Sequence, residues 1–97
     1  MTSKQRAYLK GLAMKLDPLF QLGKSNVSPE FVGAVAEAFG AHELIKISVL
    51  PNCMEDIPEM ANMLAERTSA QVVQVIGRKI VLYKEGKKER KKIILPK

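Results

Sequence analysis

The sequence predicts a compact single α/β domain, a mixed four-stranded sheet with helices packed on it, in the order α-β-α-β-α-β-β. Three observations carry that expectation. Apolar residues recur at helical spacing in three stretches, β-branched runs lie between and after them, and the last two runs are separated only by Gly77-Arg78, the length of a hairpin turn. Strands joined through a helix tend to lie parallel and hairpin arms must be antiparallel, so the sheet is mixed. The chain has 97 residues, enough for one domain that buries roughly two thirds of its extended-chain surface.

The first helix starts at a capping box in which Thr2 caps and Gln5 reaches back. Leu9, Leu12, Ala13 and Leu16 then form an apolar stripe that ends near Asp17-Pro18. Lys4 and Lys15 lie on one side of that stripe, Arg6 and Lys10 on the other. The run 19–22 reads as a short strand leading into the loop Gly23-Lys24-Ser25-Asn26. A second helix begins at about Ser28, a good N-cap, with Pro29 at the first helical position and Glu30 at the positive end. Gly23 to Asn26 tolerate positive φ, so the loop can turn tightly and aim backbone amides outward. Those amides, the helix N-terminus and the Lys24 ammonium make an anion site suited to phosphate.

The second helix turns Phe31, Val32, Val35, Ala38 and Phe39 to one face and is expected to close at Gly40 as a C-cap glycine. Residues 43–50 alternate as a strand, with Ile45, Ile47 and Val49 on one face and Lys46 on the other. Pro51-Asn52 breaks it. Asp56-Ile57-Pro58-Glu59 resembles another capping box, opening a helix with Ile57, Met60, Ala61, Leu64 and Thr68 at core spacing. Met54, Met60 and Met63 read as packing residues. Residues 71–76 and 79–83 are the hairpin arms. A charged run from Lys84 to Lys92 follows, and Ile93-Ile94-Leu95-Pro96 can return as a short apolar clip.

Charge is unevenly distributed. Residues 1–24 carry a net +4 and residues 84–97 a net +5, whereas residues 25–83 carry −3. Positive charge gathered at the two ends is the pattern of a polyanion-binding face more than of evenly spread solubilising charge. The bland alternative is that these lysines are only a solvated surface and Gly23 only a turn.

Several chemistries fall away. Gly23-Lys24-Ser25 contains the end of a nucleotide P-loop, but the first glycine of that motif falls on Pro18, so the wide phosphate-wrapping loop cannot form. Cys53 is the only cysteine and His42 the only histidine, which leaves no disulfide or zinc set within the chain and no spaced catalytic triad. Cys53 reads as a small structural residue, and for His42, after Gly40-Ala41 near a helix C-terminus, the bland reading again leads. No apolar run approaches the ~20 residues of a membrane span, and residues 1–6 lead into no signal-like apolar block. A cytoplasmic location is expected. Tyr8, Phe20, Phe31, Phe39 and Tyr83 are scattered, so there is no stacked-base platform, and polyanion binding should lean on phosphates and shape.

The glycine loop at a helix start is similar to that of the KH module, which clamps nucleotides by their backbone. A closer resemblance runs over nearly the whole chain. Gln5-Arg6-Ala7-Tyr8-Leu9-Lys10-Gly11-Leu12-Ala13, Gln21-Leu22-Gly23-Lys24, His42-Glu43-Leu44-Ile45-Lys46-Ile47 and Gln74-Val75-Ile76-Gly77-Arg78-Lys79-Ile80-Val81-Leu82-Tyr83 together resemble the CRM domain in its stand-alone bacterial YhbY-like form. The resemblance implies an RNA-binding domain similar in fold to the C-terminal domain of translation initiation factor 3. Bacterial members are associated with the large ribosomal subunit precursor and plant members with intron splicing. The family loop is G-x-x-G, and here Asn26 replaces the second glycine; asparagine is the non-glycine residue that most readily turns left-handed.

The expected RNA contacts are Gly23, Lys24, Ser25 and Asn26 in the loop, Lys4, Arg6 and Lys10 on the first helix, Arg78 and Lys79 at the hairpin, and Lys84, Lys87, Lys88 and Arg90 in the basic tail. Ribosomal RNA or the large-subunit precursor is the expected partner, with no catalysis, cofactor, metal, small-molecule substrate or membrane attachment. The alternative is a protein-interaction adaptor that sets its basic tail or methionine-bearing helix on an acidic partner.

Overall fold

The computed structural model describes residues 1–23, 27–53, 55–86 and 95. Its elements follow the expected order: α1 (Ser3–Ala13), β1 (Phe20–Leu22), α2 (Pro29–Ala38), β2 (Leu44–Val49), α3 (Ile57–Thr68), β3 (Gln71–Ile76) and β4 (Lys79–Tyr83). Local chemistry starts each helix. Thr2 and Gln5 form a reciprocal capping box for α1, the Ser28 hydroxyl accepts from the Phe31 amide at 3.1 Å for α2, and the Asp56 carboxylate accepts from the Glu59 amide at 2.9 Å for α3.

The sheet order is β1-β2-β4-β3. β1 runs parallel to β2, and β4 is antiparallel to both β2 and β3. The last strand of the chain is therefore inserted between β2 and β3. Ile80, Val81, Leu82 and Tyr83 of β4 are all buried, because helices cover both faces there. Ile80 and Leu82 join Leu22, Ile45, Ile47 and Val49 beneath Val35 and Phe39 of α2 and Met60, Ala61 and Leu64 of α3. Phe20 meets Phe31 edge to face, with ring centroids 5.8 Å apart, which ties β1 to α2. Val81 and Tyr83 point the other way and, with Leu44 and Val73, pack under Leu9 and Ala13 of α1. Leu95 packs at the margin of that second cluster, while Ile93, Ile94 and Pro96 of the expected apolar clip lie outside the described residues.

α1 is the only helix on its face among the described residues, and it covers only part of the sheet. Its 11 residues span about 16 Å. Lys46, Ser48, Gln74, Ile76 and Lys79 stay half-buried or exposed.

Two expectations are corrected. Leu16 does not extend the stripe of α1: the helix ends at Ala13, and Leu16 is exposed. The chain must turn before Pro18 to bring the Leu19 amide to the Lys46 carbonyl at 2.8 Å, and the last turn tightens through Lys15 to Leu12 and Leu16 to Ala13 bonds. Gly40 does not close α2 in a left-handed conformation either. Its amide donates to the Glu37 carbonyl at 2.9 Å without positive φ, and a Cβ there would lie 3.1 Å from that same oxygen. Crowding against the last turn accounts for the glycine. The left-handed cap belongs instead to Ser69, with φ 58, after α3.

The hairpin turn has φ +55 at Gly77 and no positive φ at Arg78, the sign pattern of a type II′ turn. Leu64→Ala should therefore lower stability by about 2–5 kcal/mol, since Leu64 is fully buried, whereas Leu16→Ala should stay within about 0.5 kcal/mol; urea unfolding midpoints check both.

Candidate nucleic-acid interface

β1 and β2 end side by side, and Leu22 and Val49 are register partners. Gly23 follows at once. It is half-buried, its φ is not positive, and a Cβ built on it would lie 3.5 Å from the Leu50 side chain, an ordinary contact. Among the described residues, neither backbone strain nor crowding accounts for a glycine at this position. Lys24, Ser25 and Asn26 lie outside the described residues. The chain re-enters at Val27, and Ser28 caps the ten-residue α2, whose first turn carries Glu30.

The hairpin turn stands at the same end of the sheet. The Arg78 guanidinium donates to the carbonyls of Val49 at 3.0 Å, Leu50 at 2.5 Å and Cys53 at 2.8 Å, while the Val49 amide donates to the Arg78 carbonyl at 2.7 Å. These bonds fasten the turn after β2, whose Leu50 side chain is the neighbour of Gly23. Arg78 thus serves as a positioning residue for the loop end.

Arg6 has a comparable role on the other face. β3 carries a bulge between Val72 and Gln74, which leaves Val73 without a register partner. The Arg6 guanidinium donates to the carbonyls of Val72 at 2.7 Å and Val73 at 3.1 Å and so docks α1 on the bulge. Both arginines spend donors on main-chain oxygens, as the rigid five-donor fork allows.

The lysines are disposed differently. Lys10 is exposed on α1, and Lys79 is half-buried, with its ammonium donating to the Ser48 hydroxyl at 2.8 Å. Lys10 and Lys79 line one groove together with Lys46. Strand alternation predicts Lys46 on this face, though it is not among the contact residues expected from the sequence. Its ammonium donates to the carbonyl of Ala13, at the negative end of α1, at 3.3 Å and to that of Leu16, in the turn after it, at 3.4 Å. Lys4 sits two turns before Lys10, exposed at the start of α1. Lys84 follows the far end of β4, with its amide on the Glu43 carbonyl at 2.9 Å. Lys87, Lys88 and Arg90 fall outside the described residues.

Among the described residues, no three His, Cys, Asp or Glu side chains are grouped to hold a metal ion, and no helix is long and apolar enough to cross a membrane. Cys53 is buried, with its thiol 3.9 Å from the Met60 sulfur, a packing contact.

A small α/β domain with Lys46 and Lys79 on a sheet face and Lys10 beside them in one groove has the make-up of a binding module. Residues 1–84 match the CRS1 / YhbY (CRM) domain, and the chain belongs to that family. It is 48% identical over 96 residues to the probable RNA-binding protein YqeI of Bacillus subtilis, with 99% of each chain covered. It is 35% identical to an RNA-binding protein of Haemophilus influenzae, covering 99% of this chain and 95% of that one. The solution structure of the Staphylococcus aureus protein SAV1595 superposes with a TM-score of 0.82 at 43% identity, covering 99% of both chains.

Arg78→Ala should cost about 1–3 kcal/mol, because it strips a charged donor from three carbonyls, while Lys10→Ala should change stability by less than about 0.5 kcal/mol; thermal unfolding of the two variants checks the difference.

Proposed function

We propose that this chain is an RNA-binding protein that acts by association and catalyses no reaction. Its target is ribosomal RNA of the large-subunit precursor, met in the cytoplasm during ribosome assembly. One observation carries the reading: Gly23, which neither strain nor crowding among the described residues requires, lies against the Leu50 turn that Arg78 holds, at the end of the sheet that also carries Lys79. A glycine without an internal reason fits close approach of an external backbone, and a lysine at the same sheet end fits phosphate. The RNA-binding names of the two relatives, each aligned over nearly its whole length, support the same conclusion. Their names specify no target, and the ribosomal assignment rests on the family resemblance in the sequence.

In this reading Lys24, Ser25 and the amides around Gly23 and Asn26 hold a phosphate at the start of α2. Lys4 and Lys10 extend the contact along α1, and the tail lysines Lys84, Lys87 and Lys88 with Arg90 add attraction independent of sequence. Arg6 and Arg78 act through the scaffold, by holding α1 and the loop end in place.

Lys24→Glu should weaken binding to a structured ribosomal RNA fragment roughly tenfold without lowering the melting temperature, and each phosphate contact should contribute about 0.7–0.9 to the log–log salt slope. Unchanged affinity removes the loop from the mechanism, and a binding constant flat in salt contradicts phosphate recognition.

A further inference from the structure

The part of the sheet beyond the end of α1 is more than a charged surface. Where α1 ends, a groove of about 340 Å³ opens between its last turn and the sheet, lined by Lys10, Ala13, Met14, Lys46, Gln74, Ile76, Lys79 and Val81. This falls in the range of small-ligand sites, which begin at roughly 300 Å³. Its floor is apolar, and two of its apolar side chains face water: Met14 is 82% exposed and Ile76 58%. Three lysines and no carboxylate stand among the lining residues. Two of those lysines are already oriented, Lys46 by the carbonyls at the end of α1 and Lys79 by the Ser48 hydroxyl. Each ammonium has three donors and so keeps capacity for an external anion.

A partner that suits this site combines an apolar face, a polar edge and negative charge in one small unit. A nucleotide with its base unstacked has that combination; duplex RNA, whose base faces are stacked away, does not. We propose that the groove holds one unstacked nucleotide of a single-stranded RNA segment. The base lies on Met14 and Ile76 with its polar edge toward Gln74, and the flanking phosphates lie on Lys10, Lys46 and Lys79. This rests on the RNA-binding reading and extends it from phosphate contact at the loop to a base-holding site on the sheet. Because the floor is thioether and aliphatic, without an aromatic ring, base identity is read weakly and single-strandedness strongly.

The test compares the wild-type chain with the double variant Met14→Ser/Ile76→Ser, which keeps every charge and alters only exposed side chains. Fluorescence anisotropy is measured with a short single-stranded RNA of mixed sequence and with the perfect duplex containing the same strand. The variant should bind the single strand about tenfold more weakly, the scale of one lost base contact. Its affinity for the duplex should stay within about twofold, since the phosphate contacts remain. Equal losses on both RNAs, or no loss on either, overturn the groove while leaving RNA binding intact. A wild-type chain that binds neither RNA removes both readings together. A wild-type dimer in sedimentation that the double variant dissolves assigns the groove to a second copy of the chain and likewise overturns the proposal. Lys79→Gln supplies an independent check: it should weaken the single strand at low salt and lose that effect as salt rises.

Discussion

The structure depends on burying one strand from both sides. β4 lies between β2 and β3, and its side chains alternate into two cores: Ile80 and Leu82 toward α2 and α3, Val81 and Tyr83 toward α1. A strand with both edges paired and both faces covered cannot slip by one residue without exchanging the two cores. That fixes the register of β2 and β3 against it and, through β2, the parallel position of β1. Every feature of the candidate interface is hung from this frame.

The two faces are covered unequally, and the inequality sets where recognition can occur. α2 and α3 lie together on one face, whereas among the described residues α1 is the helix on the other, where Leu95 also packs, and it stops at Ala13. Where it stops, the sheet shows Lys46, Ser48, Gln74, Ile76 and Lys79 toward solvent, at the end that also carries Gly23 and the hairpin turn. Arginine and lysine divide the labour there. Arg6 and Arg78, with planar multidentate donors, close backbone gaps at the bulge and after β2, while lysines with a single mobile ammonium remain near the surface. The fold's own demand for guanidinium groups thus ties up Arg6 and Arg78 on main-chain oxygens, while the Lys10 ammonium stays exposed.

What could be read from the sequence was local. Thr2, Ser28 and Asp56 identified the helix starts because a cap bonds only three residues away, and Gly77-Arg78 located the hairpin for the same reason. Alternation in β2 put Lys46 opposite Ile45 and Ile47, although nothing local said that α1 would end above it. The insertion of β4 between β2 and β3, the exposure of Leu16 and the duties of the arginines were not legible. Each depends on groups far apart in the chain, Arg6 with carbonyls 66 and 67 residues away and Arg78 with those 25 to 29 away. Gly40 misled because glycine after a helix usually signals a left-handed cap, whereas here it relieves a close approach to the Glu37 carbonyl. Of the candidate site, Lys10 and Lys79 come together in the groove, Lys84 lies past the far end of β4, and Lys24, Ser25, Asn26, Lys87, Lys88 and Arg90 fall outside the described residues.

The central claim is that RNA contacts the loop end of the sheet and the part of it that α1 leaves bare. Amide chemical shifts of the isotope-labelled chain, followed during titration with a single-stranded RNA, test it most directly. The largest changes should fall at Gly23, Lys10 to Met14, Ser48 and Gln74 to Lys79. Changes confined to the outward faces of α2 and α3, with those positions unmoved, would contradict it.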